Sequence, residues 1–428
     1  MVKVRVLLVI STLVVLFGCG AVTKRPDIDE GEIAAEANRM YEMVVGRDQQ
    51  MIKRLGDLTA PLLIGNADLC ESRTRYVIFM GVHNLEDYRG RRRDAMESVY
   101  ELDERIRVTQ VGREGPAHIA GIRENDVILA VNDIETPRGM AATAFFKVHV
   151  APLVEAGKPI KFSLLRKAQK ITAIVQPVMA CDYPVRLVAT DVVNAYATGT
   201  SIIINTALMS AFQSDHELGV VVAHELAHNI MGHIEKGKLE IWKDFYIMKI
   251  LNGATGTNVG TIYANFSYLN SSVDFEYEAD YVGLYLAARA GLDYELAPEF
   301  LRKLALDSPR EINRNTTHPQ LAARYVAQEA AIAEIHRKMA LGQPLIPEMK
   351  IESAAKKPTM TMLSTSRRPS SSANRVARAR SALPSLSTRT MTAGEIRGKL
   401  TYPHCGHSLA GASPGRLVLG SVTRIWST

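Results

Sequence analysis

Apolar positions along this chain follow four rhythms, and each predicts a different kind of element. Residues 6–17 (VLLVISTLVVLF) form a nearly unbroken apolar run behind Lys3 and Arg5, too short to span a bilayer comfortably and of the kind found in export signals. Between 30 and 56, Ile33, Ala37, Met40, Val44, Met51, Ile52 and Leu55 recur at helical spacing. That spacing predicts one or two amphipathic helices packed against a core. From 106 to 134 short apolar runs are punctuated by glycine and asparagine, which predicts strands at 106–111 and 127–131 around a short helix ending at Gly121. A helix at 141–156 and strands at 162–165 and 171–175 follow. From 183 to 345 the pattern is mostly helical, after a strand in VNAYATGTSIIINTALM (193–209). Beyond 349 the chain is rich in serine, threonine and arginine and poor in large apolar residues, so it cannot offset its own ordering entropy and is expected to be disordered.

Charge changes this picture only by its location. The chain has 428 residues, 47% of them hydrophobic, and a net charge of +6, enough length and apolar content for a sizeable core. Residues 353–428, however, carry 12 Lys+Arg against the single acid Glu395, so the rest of the chain is net negative. The basic balance belongs to the tail and gives no argument for nucleic acid as a partner. The apolar leader ends in LFGC, which resembles a bacterial lipoprotein box and implies a lipid on Cys19. Gly20 stands where an aspartate would resemble an inner-membrane retention signal, which points to the outer membrane, facing the periplasm. Export means an oxidising compartment, so Cys70 and Cys181 are expected to form a disulfide.

The chemistry concentrates in VVVAHELAHNIMGH, residues 220–233. Four residues is about one helical turn, so His224 and His228 can aim two imidazole nitrogens at one point with Glu225 beside them. Such a pair suits zinc, whose catalytic sites usually take three protein ligands. In DFEYEADYVGLYLAARA (274–290), Glu276, Asp280, Gly283 and Ala287 share one helical face, as a helix pressed closely against the histidine helix would need. Glu278, two residues from Glu276, is expected to point nearly the opposite way, and His233 to serve packing or a helix end.

HELAH followed by EYEAD resembles the gluzincin zinc metallopeptidases of the CAAX prenyl protease and HtpX-like family. VNAYATGTSIIINTALM before the motif and THPQLAAR (317–324) after it fit the same pattern. The resemblance implies one zinc ion (Zn2+) per chain, bound by His224, His228 and Glu276, with Glu225 as general base. It also implies that Asp280 orients a ligand histidine, and that His318 and Arg324 lie near the site, to stabilise an oxyanion or hold an acidic partner. GPAHIAGIRENDVILAVND (115–133) resembles a PDZ domain, a fold that captures extended peptides or C-termini by adding a strand; no carboxylate-binding loop is recognisable in VIFMGVHNLEDY. The expected fold is α+β: a mainly helical metallopeptidase domain with a small edge-strand sheet, preceded by a PDZ-like β domain. The expected divisions are a lipoprotein signal (1–19), an N-terminal helical segment (20–74), the PDZ-like domain (75–182), the metallopeptidase domain (183–345) and a basic tail (350–428). Together these predict a lipid-anchored periplasmic endopeptidase acting on unfolded, misfolded or unassembled envelope proteins. The alternative is a PDZ-bearing assembly factor whose protease fold is at rest.

Overall fold

The computed structural model describes residues 26–212, 214–237, 259–313 and 319–349, with backbone alone for 259–272. The apolar leader with Cys19, His318 and the basic tail lie outside the described residues. Helix α1 (Glu30–Gly65) is a single helix of 36 residues that continues through Pro61. Asp29 caps it, accepting from the Glu32 amide at 3.0 Å, and Glu30 and Glu32 in the first turn favour the positive end of the helix dipole. Its first half exposes Ile33, Met40 and Met43, whereas Leu55, Leu58, Leu62 and Leu63 in its second half are buried. Asn66 ends it, donating from Nδ2 to the carbonyls of Leu62 at 2.8 Å and Leu286 at 3.0 Å.

A β-rich module follows. Its elements are β1 (Thr74–Val77), β2 (Met80–His83), α2 (Gly90–Tyr100), β3 (Arg107–Val111), α3 (Pro116–Ile119), β4 (Val127–Val131), β5 (Ile134–Glu135), α4 (Met140–His149), α5 (Ala151–Glu155), β6 (Ile160–Arg166), β7 (Gln169–Val175) and β8 (Val178–Cys181). The main sheet runs β2-β3-β4-β6-β7, all antiparallel, with β5 paired to β4. The strand expected at 162–165 is β6, where Ile160, Phe162 and Leu164 are buried among Ile106, Val108 and Ile128. The helix expected over 141–156 is broken in two at Val150, since Pro152 lacks the amide that a continuous helix would use. Strands β1 and β8 pair Thr74 with Cys181. The expected Cys70–Cys181 disulfide is present beside this neck, with Cα atoms 5.5 Å apart, so entrance and exit of the β-rich module are held together.

The chain then re-enters the core that α1 began. Strands β9 (Val185–Val188), β10 (Ala195–Ala197) and β11 (Ile202–Asn205) form a small sheet in the order β10-β11-β9, which leaves β10 at an edge. Helices α6 (Thr206–Ala211), α7 (Asp215–Ile230), α8 (Val259–Arg289), α9 (Ala297–Asp307) and α10 (Leu321–Ala340) complete it. Leu58 and Leu62 of α1 belong to the same buried cluster as Leu218, Val222 and Leu226 of α7, Tyr285 and Leu286 of α8 and Ile335 of α10. The architecture is α+β. Among the described residues no helix is long and apolar enough to cross a membrane.

Candidate active site

Helix α7 is set by its cap and its buried stripe. Ser214 accepts from the His216 amide at 3.2 Å, and Asp215 and Glu217 occupy the first turn. Leu218, Val222, Ala223, Leu226 and Ala227 face the core, which turns His224, Glu225 and His228 to the half-buried side. Helix α8 crosses α7 at close range because residue 283 is glycine. A Cβ there would lie 3.1 Å from both N and Cα of His224.

That crossing brings three donors together. His224 Nε2 and His228 Nε2 are 3.1 Å apart, and Glu276 approaches them at 3.5 Å and 3.4 Å. For bonds of about 2.0–2.1 Å to a tetrahedral zinc, ligand atoms stand roughly 3.3 Å apart, so the spacing suits that ion. Proton accounting gives the same answer. His224 Nδ1 lies 3.1 Å from Asp280 Oδ1, and a carboxylate only accepts, so Nδ1 carries a proton and Nε2 is the nitrogen left to face the site. On the other side His233 Nε2 lies 2.7 Å from Glu278 Oε2 and must donate to it. His233 Nδ1 is then an acceptor, 3.0 Å from His228 Nδ1, which therefore carries the proton and leaves His228 Nε2 to face the site as well. Two Nε2 atoms and a carboxylate thus converge on one point, an arrangement that calls for a positive charge between them, a proton or a metal ion. Among the described residues this is the one group of His, Cys, Asp and Glu with metal-ligating spacing.

Electrostatics agree with the geometry. Burial opposes a charged ring at His224, yet the carboxylates of Asp280 and Glu276 push its pKa up to about 10, so without a metal the ring takes a second proton on Nε2, at the point where a cation would otherwise sit. Asp280 is 5% exposed. Burial would raise its pKa, but Arg324 and then His224 hold it well below the usual carboxylate range. Arg324 comes from α10 and grips Asp280 with two bonds of 2.7 Å, Nε to Oδ2 and Nη2 to Oδ1. Of the two tasks the sequence left open for Arg324, an oxyanion or an acidic partner, its fork is occupied by the acidic partner. Glu225, half-buried beside His224, makes no hydrogen bond or ion pair among the described residues.

Glu278 was misjudged from sequence, whereas His233 serves packing as expected and also joins the site. Glu278 does not point away from the site: it reaches His233, which touches His228. His233, 3% exposed, stacks on Phe275 with ring centroids 4.5 Å apart. The signal that could have found them is Gly232. Its φ of +66° turns the chain at the end of α7 and folds His233 back over the preceding turn. Asn229 adds another link, accepting from Gly199 N at 2.7 Å and donating to Ser201 O at 3.0 Å. The turn between β10 and β11 is thereby tied to the histidine helix.

Residues 165–332 match peptidase family M48, and residues 107–146 match the PDZ domain. Mitochondrial metalloendopeptidase OMA1 of Arabidopsis thaliana is 30% identical over 188 residues, covering 42% of this chain and 38% of that protein. The beta-barrel assembly-enhancing protease of Yersinia pestis is 29% identical over 154 residues, or 31% of either chain, and that of Escherichia coli (strain K12) is 24% identical over 177 residues, covering 37% of this chain and 35% of that protein. The chain thus spans about a third of the length of the relatives it matches.

Proposed function

With a peptidase family M48 domain and a PDZ domain in one chain, we propose a zinc endopeptidase, lipid-anchored through Cys19 in the bacterial envelope, that cleaves misfolded or unassembled envelope proteins. The observation that carries the reading is the convergence of His224 Nε2, His228 Nε2 and Glu276, with Nδ1 of each ring turned to another partner so that both Nε2 atoms face one point. His224, His228 and Glu276 would hold the metal. Bound there, zinc supplies Lewis acidity that brings the pKa of water down to about 7.

The chain's own residues do the rest. Glu225 takes the proton of the attacking water and returns it to the departing amine, a task for which its carboxylate has no competing partner among the described residues. Asp280 keeps the His224 proton on Nδ1, and Arg324 keeps Asp280 ionised and in place. Strand β10 offers an edge for an extended substrate, and the tie of its following turn to Asn229 keeps that edge in register with α7. Pairing through main-chain groups is indifferent to sequence, which suits unfolded clients. The PDZ-bearing module, residues 75–182, would capture polypeptide ahead of the catalytic residues 183–345. The envelope assignment draws on the LFGC leader and on the beta-barrel assembly-enhancing proteases among the relatives.

The test is hydrolysis of unfolded casein by the full chain with and without a zinc chelator, beside Glu225→Gln. Cleavage should stop with chelator, return with zinc, and fall by roughly 10²–10⁴ in Glu225→Gln with zinc content unchanged. Chelator-resistant cleavage, or no cleavage by the zinc-loaded chain, would favour the assembly-factor reading instead.

A further inference from the structure

The first half of α1 is fixed on one side and bare on another. Val45 shares a buried cluster with Ala95 and Met96 of α2, the Ser98 hydroxyl donates to Glu42 at 2.7 Å, and Arg92 pairs with Asp48 at 2.9 Å. At about 100° of rotation per residue, Ile33, Ala37, Met40 and Val44 fall within roughly 60° of one another on a different face. Ile33 is 49% exposed, Met40 57% and Val44 38%, with Met43 beside them at 74%. The exposure ends at Met51, which lies on the same face and is buried in the core shared with α7 and α8. An apolar stripe standing in water on a helix already held in place is the mark of an interaction surface.

Two features of the stripe say what covers it. Its spacing of 4, 3 and 4 residues reads the same in both directions. Against an antiparallel copy of itself, Ile33 therefore meets Val44 and the small Ala37 receives the long Met40, each contact occurring twice. Charge selects the same direction. Asp29, Glu30, Glu32 and Glu36 stand at the start of the helix, whereas Arg39 and Arg47 come later. Asp48 is shared by Arg47 at 3.0 Å and Arg92 at 2.9 Å, which leaves surplus positive charge at that point. Antiparallel pairing sets Asp29 and Glu30 of one copy beside Arg47 of the other and opposes the two helix dipoles. Parallel pairing would set acid on acid and leave a gap between two alanines at 37. A lipid surface fits less well, because the acids gather at the end nearest the leader, where anionic headgroups repel them.

We propose that the first half of α1 is a homodimer interface, through which two copies of this chain pair antiparallel along Ile33, Ala37, Met40 and Val44. The inference is independent of the peptidase reading. A seam of this length is small, so the dimer is reversible. It forms at all because α2 already holds the helix, so that pairing loses little ordering entropy. Its acid–arginine ends are exposed, and salt weakens them.

The test is disulfide trapping in intact cells. Two differently tagged full-length copies are co-expressed, both with Cys405→Ser so that the tail adds no thiol, one with Ile33→Cys and the other with Val44→Cys. After mild oxidation the products are separated on a non-reducing gel. The mixed product should form and the two same-residue products should not. In the antiparallel pair the same residue in two copies lies about 16 Å apart along the axis, against a reach of about 7 Å between the Cα atoms of a disulfide. Ala37→Cys with Met40→Cys is an independent pair nearer the centre and should behave alike. Met40→Glu in both copies should abolish the 33-to-44 product, while the purified variant keeps the melting temperature of the wild type because the side chain is exposed. All three products in equal amount, same-residue products alone, or a mixed product that survives Met40→Glu overturns the antiparallel seam. No product from either pair overturns the dimer, and loss of binding to anionic vesicles in Met40→Glu would then assign the stripe to lipid.

Discussion

His224 and His83 are both buried rings, and their surroundings drive them in opposite directions. At His224 burial works against a charge, but Asp280 and Glu276 overcome it and push the ring up to about 10. At His83 burial is joined by Arg107 rather than opposed, and the ring falls to about 3. The difference lies in which charges the fold brings up to an imidazole. Where α8 crosses α7 it supplies carboxylates, and the site calls for a cation. Where β2 meets β3 it supplies a guanidinium and a buried setting, and the ring stays neutral. On the reading proposed above, the first region would hold a metal ion and the second a polypeptide.

The largest effect is expected where the cation-seeking side of this contrast is most buried. Arg324→Ala would leave Asp280 ionised at 5% exposure without its two guanidinium bonds. Removing one partner of a buried ion pair costs about 3–5 kcal/mol. Urea denaturation of the full chain, with chelator present in both samples so that metal binding does not contribute, should show a loss of that size. A loss below about 1 kcal/mol would mean that Asp280 finds other partners and that the α8–α10 contact is not what fixes His224.

The opposite side of the contrast is read by pH. The folded pKa of His83 lies below the unfolded value of about 6.5, so the unfolded chain binds the proton more readily. The stability linked to this ring is present above about pH 6.5 and is lost as pH falls toward 3. His83→Leu cannot titrate. The difference in unfolding free energy between wild type and His83→Leu should therefore shrink steadily, by roughly 1.4 kcal/mol per pH unit at most, as pH falls below about 6. A difference that is flat from pH 7 to pH 4.5 would mean that the ring takes up its proton as readily in the fold as in the unfolded chain, so that burial and Arg107 do not hold it neutral.

The sequence disclosed some of this and concealed the rest for physical reasons. His224, Glu225 and His228 were legible because helical spacing alone places them together. Gly283 was legible as part of a small-residue face, and the close approach to His224 is what that face allows. Helix α1 was read only to about Gly56, yet it runs through Pro61 and delivers Leu58 and Leu62 to the catalytic core. Tertiary burial there outweighs the local penalty of proline. The Asp280–Arg324 pair joins residues 44 apart in sequence, and no periodicity links them. Glu278 was misread because a helical wheel shows only which way a side chain leaves its own helix. It cannot show that Gly232 turns another segment back to meet it.

The smallest expected effect tests that misread residue. His224 is steadied by an ion pair almost wholly out of water, whereas His228 is steadied through a second imidazole whose far partner, Glu278, has a side chain 38% exposed. Support that is neutral and partly solvated should be easier to lose without unfolding. The Glu278 carboxylate fixes the proton of His233 on Nε2, which fixes that of His228 on Nδ1 and leaves the ligating nitrogen bare. Glu278→Gln retains an acceptor oxygen but adds a donor that can reverse the chain, so zinc affinity should fall by about tenfold. Glu278→Leu should approach the hundredfold loss typical of removing an outer partner of a metal-bound histidine. Competition against a chromophoric zinc chelator gives both values, with Glu225→Gln as the control that should bind zinc as wild type does. If Glu278→Leu retained full affinity, His228 would hold its tautomer without this chain, and the His228 side of the site would need no support beyond its own helix.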